Sequence, residues 1–162
     1  MPNWCDNYLT SDSERVNEVM EKLMYRQEKS GHGESLDWLK DDRYLFDIND
    51  YGGGYGFQTK WSPATKTAET LSKVFGCEVT LDYDEPGMMI KGKLICNKGV
   101  CTEINLTNED FDLYHYDDEK DCYIFEGEEW DNDSEIKEEL LDRKIRLYDQ
   151  QSLHSGDSAS QN

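Results

Sequence analysis

Two kinds of hydrophobic periodicity follow one another along the first 106 residues, and their order constrains the fold more than any other feature. Alternating apolar and polar side chains predict strands, and apolar residues spaced by three and four predict amphipathic helices. Strands are predicted at 3–10, 44–48, 56–61, 77–83, 88–96 and 100–106, and helices over 16–24 and 64–75. The order strand, helix, strand, strand, helix, strand is the split βαβ arrangement, in which two helices cover one face of an antiparallel sheet. We therefore predict an α+β domain with extra strands.

The second predicted helix has start and stop signals. Ser62 supplies an N-cap, Pro63 suits the first helical position, and Gly76 ends the pattern. Ser72 interrupts the row of small apolar residues, so we expect a narrow apolar stripe. Its core face should consist of Ala64, Ala68, Leu71, Val74 and Phe75.

Two groups of residues allow both a binding role and a structural role. Four aromatic side chains could stack on a ligand, but a sheet that buries one face needs such residues in its core, so we interpret them as core. These are Trp4, Phe57, Trp61 and Tyr83. The glycine run 52–56 could cradle a phosphate, but it lacks the GxxxxGK(S/T) spacing, so we favour a mobile hairpin turn.

Composition and cysteine spacing limit the class of protein. The charged fraction of 33% resembles disorder, but the aromatic content of 12% allows the chain to bury enough area to fold. The opening residues form no basic and apolar signal region, and no apolar run nears the length of a membrane span, so we expect a cytoplasmic protein. Five cysteines without a CxxC pair predict reduced thiols rather than a disulfide framework or a zinc site.

The predicted split βαβ unit carries an opening motif and a central motif: Met1-Pro2-Asn3-Trp4-Cys5-Asp6-Asn7 and Phe57-Gln58-Thr59-Lys60-Trp61-Ser62-Pro63. A helix containing Leu71 and Phe75 then leads to Tyr83, Glu85, Pro86 and Gly87 before a further strand. In these features residues 1–96 resemble the YubB-type ferredoxin-like domain family. The resemblance implies a ferredoxin-like sandwich and an association with phages and plasmids, and it implies no reaction. The cysteine spacing offers no iron–sulfur ligation, so no cofactor is expected.

Negative charge is concentrated in a segment that the resemblance does not cover. Of 36 Asp and Glu residues, 17 lie between Glu103 and Asp142 beside two Lys, which gives this segment a net charge of −15 of the chain's −19. Charge concentrated in one segment creates a negative electrostatic potential that attracts a cationic surface. The carboxylates that we expect to bind such a partner are Asp110, Asp112, Asp117, Asp118, Glu119, Asp121, Glu126, Glu128, Glu129, Asp131 and Asp133.

Aromatic residues interleave with these carboxylates, so the segment is not a plain solvating tail. They can anchor it to the domain or to a partner. Residues 134–149 predict a helix capped by Asp133 or Ser134, whose apolar stripe needs a cover from the domain or from a second copy in a homodimer. We thus divide the chain into a ferredoxin-like domain (1–106), an acidic extension with a C-terminal helix (107–149) and a disordered polar tail (150–162).

Metal binding is not expected in the acidic extension. Asp131, Asp133 and Glu135 alternate as in a calcium loop, but Ile136 occupies the position where that loop needs a glycine. The acids suit the start of a helix better, because they favour the positive end of its dipole.

The favoured function is an inhibitor from a phage or plasmid. Its acidic face would occupy the nucleic-acid channel of a basic host defence protein, as an anti-CRISPR or anti-restriction DNA mimic does. The alternative is an acidic, soluble accessory domain without nucleic-acid mimicry. Catalysis is not expected, because no complete catalytic constellation occurs in the sequence. An enzyme of this composition would need a pair of Asp or Glu residues that act as general acid and base in one buried site. Direct nucleic-acid binding is disfavoured by the charge, and no membrane contact is expected.

Overall fold

Strand β1 (Trp4–Ser11) is central in the larger sheet, and its alternation defines the two faces of that sheet. Cys5, Asn7 and Leu9 point into the core, whereas Trp4 and Asp6 lie on the opposite face. The strand pairs antiparallel with β3 (Tyr55–Lys60) on one side and with β4 (Glu78–Glu85) on the other. The computed structural model describes residues 2–36, 38 and 44–160.

The remaining elements complete a six-stranded sheet in the order β2-β3-β1-β4-β5-β6. The elements not yet defined are α1 (Glu14–Ser30), β2 (Phe46–Asp50), α2 (Thr65–Phe75), β5 (Ile90–Asn97) and β6 (Val100–Asn105). Helix α1 packs on β2, and helix α2 packs on β4 and β5. The predicted α+β architecture with its antiparallel sheet is confirmed.

The chain divides into two compact units, Met1–Glu103 and Ile104–Asn162. The second unit contains a separate three-stranded sheet in the order β7-β8-β9. Its elements are α3 (Asn108–Phe111), β7 (Tyr114–Asp117), β8 (Cys122–Phe125), β9 (Glu128–Trp130) and α4 (Asp133–Ser160). Helix α4 continues beyond Asp149, where we predicted its end, into the segment predicted to be disordered; residues 161–162 of that segment lie outside the described residues. No helix in the described part of the chain is long and apolar enough to cross a membrane.

The buried amide of Asn7 joins β1, β3 and the start of α2. Its Nδ2 donates to Thr59 Oγ1 at 2.9 Å and to the Cys5 carbonyl at 3.0 Å, and its Oδ1 accepts the Ala64 N–H at 3.0 Å. The predicted start of α2 is therefore wrong: the helix begins at Thr65 without a side-chain cap from Ser62, and Asn7 holds the N–H of Ala64, the residue before the helix. A bond from a distant strand cannot be read from local sequence.

The predicted apolar stripe of α2 also needs correction. Ala64, Ala68 and Leu71 are fully buried, but Val74 is 56% exposed. Ser72, which we expected to interrupt the stripe, is buried instead, because its hydroxyl donates to the Cys77 carbonyl at 2.7 Å and accepts the Gly99 N–H at 3.0 Å. A buried hydroxyl with both partners is tolerated in a core.

The prediction that four aromatic residues form the core is correct for two of them. Phe57 and Tyr83 are buried, whereas Trp4 is 37% exposed and Trp61 is 56% exposed. Trp4 lies on the face of β1 opposite Cys5, and Trp61 leaves the end of β3 with a positive φ of 70°. Strand alternation therefore places Trp4 outside the core, whereas Trp61 is outside it because the chain leaves β3 after Lys60.

The prediction of five reduced cysteines is wrong for one pair. Cys96 on β5 and Cys101 on β6 form a disulfide with Cα atoms 4.0 Å apart, while Cys5, Cys77 and Cys122 are free thiols. The tight β5–β6 hairpin brings together two cysteines only five positions apart. Spacing rules for zinc sites and disulfide frameworks do not cover such a cross-hairpin pair.

The glycine-rich segment connects β2 and β3, as predicted for a hairpin turn. The Tyr51 N–H donates to the Gly54 carbonyl at 3.0 Å. A Cβ at Gly54 would lie 2.7 Å from the Leu9 carbonyl oxygen, so the close approach of the turn to β1 requires glycine there.

Replacing Asn7 by alanine tests the buried amide network. Because N7A leaves the Ala64 N–H and the Thr59 hydroxyl without their buried partner, it should lower the free energy of unfolding by about 2 to 3 kcal/mol. Urea denaturation followed by circular dichroism measures the loss. As a control, N49A removes an exposed amide that donates to the Asp47 carbonyl, and it should change stability by less than about 0.5 kcal/mol. Equal effects of the two variants would contradict the network.

Thiol labelling tests the disulfide. The denatured protein should react with iodoacetamide at three cysteines without reductant and at all five after reduction, as counted by mass spectrometry. Reaction of all five without reductant would contradict the Cys96–Cys101 bond.

Candidate functional site

All eleven carboxylates of the predicted partner-binding set lie in the second unit, on defined elements and the turns that join them. They occupy α3 and its end, the last residue of β7, the turn between β7 and β8, the turn between β8 and β9, strand β9, the link from β9 to α4 and the start of α4. The set is thus carried by secondary structure rather than by a solvating tail.

Strand alternation separates the aromatic residues of this unit from several of its acids. Tyr116, Tyr123 and Trp130 pair across β7, β8 and β9, so they share one face of the sheet. The rings of Tyr116 and Tyr123 have centroids 5.1 Å apart. Asp117 pairs with Cys122 and therefore lies on the opposite face. Glu129 pairs with Ile124 and lies on that opposite face too, whereas Glu128 pairs with Phe125 on the aromatic face.

Six of the eleven carboxylates have partners within the second unit. Lysine or arginine side chains pair with four of them, Tyr116 donates to a fifth, and backbone N–H groups donate to the sixth. The engaged residues are Asp110 with Lys144, Glu126 with Arg143, Glu129 with Lys120, Asp133 with Lys137, Asp121 with Tyr116, and Asp117 with the amides of Glu119 and Lys120. The hydrogen bond to Asp121 raises the pKa of Tyr116 to about 12.

Asp110 is the most firmly held of these acids. Its carboxylate lies 2.5 Å from Lys144 Nζ and accepts the N–H and the hydroxyl of Thr107, which makes a capping box at the start of α3. Burial raises the pKa of Asp110, but the hydrogen bonds from Lys144 and Thr107 outweigh that effect and hold it below its usual value. Asp110 is therefore a structural acid.

The other five carboxylates of the set are exposed and have no ion pair or side-chain hydrogen bond within the described ranges. They are Asp112, Asp118, Glu119, Glu128 and Asp131. The predicted set thus contains six acids that are engaged within the second unit and five that are exposed.

A second group of acids, which the prediction left out, lines a groove beside Trp130. The groove has a volume of about 330 Å³ and is lined by Trp130 and one face of α4: Ser134, Glu135, Glu138, Glu139 and Asp142. Spacing by three and four places these acids together on the helix, so the sequence did contain a signal for them. The Trp130 Nε1–H is buried and has no hydrogen-bond acceptor within the described residues.

The opposite face of α4 is apolar, as predicted. Ile136, Leu140 and Leu141 are buried, whereas Leu147 is 58% exposed. The cap differs from the prediction, because Asn132 Oδ1, rather than Asp133 or Ser134, accepts the Glu135 N–H at 3.2 Å. Within the described ranges no group of three or more His, Cys, Asp or Glu side chains is placed to hold a metal ion.

The sheet order β2-β3-β1-β4 with its two helices defines a protein of the ferredoxin-like class. Comparison with family models gives a match over residues 42–126, and the chain belongs to the family described as the ferredoxin-like domain in Api92-like protein. The match extends from the first unit into the second. No curated protein and no solved structure matches the chain. The ferredoxin-like part of the resemblance is confirmed.

Removing the amine of Lys144 tests the structural role of Asp110. A carboxyl whose pKa is lowered on folding contributes stability at neutral pH that is lost as the pH falls through about 4 and below. K144A should raise the pKa of Asp110 toward its usual value, as read from the carboxyl ¹³C shift in an NMR titration, and should make stability less dependent on pH in that range. K120A, which removes the exposed partner of Glu129, is the control and should leave the Asp110 titration unchanged.

Proposed function

We propose that this chain is an acidic interaction protein that binds a cationic nucleic-acid-processing protein and competes with its DNA or RNA. One observation carries the proposal: the second unit packs aromatic rings against one another on one face of its sheet, yet leaves five carboxylates exposed and without partners among the residues that the structure describes. Acids needed only for folding would be paired, as Asp110 is.

The chemistry of this surface suits a site that normally binds phosphates. A nucleic-acid channel presents Lys and Arg side chains arranged for a row of negative charges, and a protein with open carboxylates can meet the same cations. Such association is fast and weakens as salt rises, because exposed charges are screened beyond about 10 Å at moderate ionic strength. The groove beside Trp130 adds an aromatic wall to an acidic face, where an arginine side chain could stack.

The origin and target of the chain are part of the same proposal. The opening and central motifs resemble the YubB-type family of phages and plasmids, and a mobile element benefits from inhibiting host defence. The partner is therefore proposed to be a restriction or RNA-guided nuclease in the host cytoplasm. A homodimer through α4 belongs to the proposal too, since Leu147 and Leu153 are exposed on that helix.

The rival function is an acidic accessory domain whose charge maintains solubility. Six carboxylates with internal partners favour it, because those residues are already explained by folding. The two functions differ in one respect: solubility depends on the total charge, whereas competition depends on where the open carboxylates lie.

Charge reversal at the open acids should abolish competition. The test variant replaces Asp118, Glu119, Glu128 and Asp131 by lysine. The wild-type chain should displace a fluorescent DNA duplex from a purified restriction nuclease or RNA-guided nuclease at low salt and lose this ability at high salt, as followed by fluorescence anisotropy. The variant should fail at both salt concentrations.

The control carries the same change in net charge on the first unit. It replaces the exposed acids Asp12, Glu18, Glu28 and Glu78 by lysine. This control should retain most of the competition. Equal loss in both variants would favour the accessory domain, and failure of the wild-type chain to displace DNA from either nuclease would overturn the proposal.

A further inference from the structure

A cleft of about 600 Å³ lies in the first unit, between the C-terminal end of α1 and strand β2. Gln27 and Gly31 line it from the helix, and Tyr44 and Phe46 line it from the chain that forms β2. Trp4 completes an aromatic wall and is 37% exposed, while Tyr44 is 53% exposed. Ring surface is therefore accessible in this cleft, which shares no residue with the acidic surface of the second unit.

The aromatic wall already holds a cation of the chain itself. The rings of Trp4 and Phe46 meet edge to face with centroids 5.2 Å apart. The Lys60 ammonium lies 5.8 Å from the Trp4 centroid and 5.1 Å from the Phe46 centroid. These distances are within the range of cation–π attraction, so the pair of rings is suited to positive charge.

The end of α1 favours a cation as well. The helix is 17 residues long, and its last carbonyl groups have no helical N–H partner except where the Gly31 N–H caps the Gln27 carbonyl at 2.8 Å. The aligned peptide dipoles give this end a partial negative charge. Lys29 lies in the last turn, but its ammonium rests 5.4 Å from the centroid of the Tyr25 ring.

Asp47 adds a full negative charge to the wall of the cleft. It lies where the pairing of β2 with β3 shifts register between Phe46 and Asn49, and its φ is 54°. Its carboxylate is exposed and makes no ion pair within the described residues. The bulge therefore places a carboxylate beside the aromatic wall and the helix end.

We propose that this cleft binds an organic cation of the guanidinium or ammonium type, with the charge near Asp47 and the helix end and the apolar body against Trp4 and Tyr44. The cation would be an arginine or lysine side chain of a partner protein or a free polyamine, which share this chemistry. A nucleotide fits less well, because its phosphate would meet Asp47 and the negative end of α1. The site uses only the first unit, so it stands whether or not the proposed function of the second unit does.

Titration with small cations tests the site. N-acetyl-arginine amide and spermidine should each shift the Trp4 indole N–H resonance in ¹⁵N NMR spectra of the full chain, and adenosine monophosphate should not. W4L should weaken cation binding about tenfold, because the apolar body of the ligand loses the ring face against which it packs. W61L removes an exposed tryptophan outside the cleft and should leave binding unchanged.

Two further variants keep the test independent of folding around Trp4. D47N keeps a residue that tolerates a positive φ but removes the charge, and it should weaken binding about threefold, whereas D12N should not.

K60Q removes the competing internal cation and should strengthen cation binding. A site for nucleotides would instead bind its ligand more weakly in K60Q. Saturable adenosine monophosphate binding that K60Q weakens, or equal effects of D47N and D12N, would overturn the proposal. If N-acetyl-arginine amide binds and spermidine does not, the ligand is a side chain of a partner protein. If spermidine binds more tightly than N-acetyl-arginine amide, the ligand is a polyamine.

Discussion

The hydrogen bonds of Asn7 are the interaction on which the first unit depends. One buried amide contacts Thr59 on the neighbouring strand and supplies the missing acceptor at the start of α2, so it fixes strand register and helix position together. Because an unpaired buried N–H costs more than a single hydrogen bond contributes, these positions are coupled. The same alternation that turns Asn7 inward turns Trp4 outward, and this links the core to the aromatic cleft on the other side of β1.

Strand alternation also organises the side chains of the second unit. Aromatic residues gather on one face of its sheet, and ion pairs such as Lys144–Asp110 hold α3 and α4 together. Exposed ion pairs contribute little stability each, so the fold of this unit depends mainly on buried residues such as Phe125 and Ile136. The exposed carboxylates that have no partner in the described part of the chain therefore contribute little to this fold, and the proposed function assigns them to another molecule.

Sequence patterns predicted the order of strands and helices, because burial of one face imposes a period on each element. They failed where a residue is explained by its partner in the folded chain: Asn7 holds the N–H before α2, Ser72 is buried through Gly99, and Cys96 pairs with Cys101 across a hairpin. The sequence predicted which segment carries the acidic residues. It did not distinguish the carboxylates that pair within the chain from those that stay exposed. Glu129 is paired because the folded chain brings it next to Lys120, which is nine positions away in the sequence.

The two cation-binding regions proposed here work by different physics. The open carboxylates of the second unit attract through a field that salt screens over about 8 to 10 Å, so their effect depends on ionic strength. The cleft of the first unit combines ring faces with a helix end at contact distance, where screening is weaker and shape matters more. A partner protein with a basic surface would be drawn by the first kind of interaction at any orientation. A particular arginine or lysine would be selected by the second, because the ring faces and the Asp47 carboxylate together fix the position of one cation.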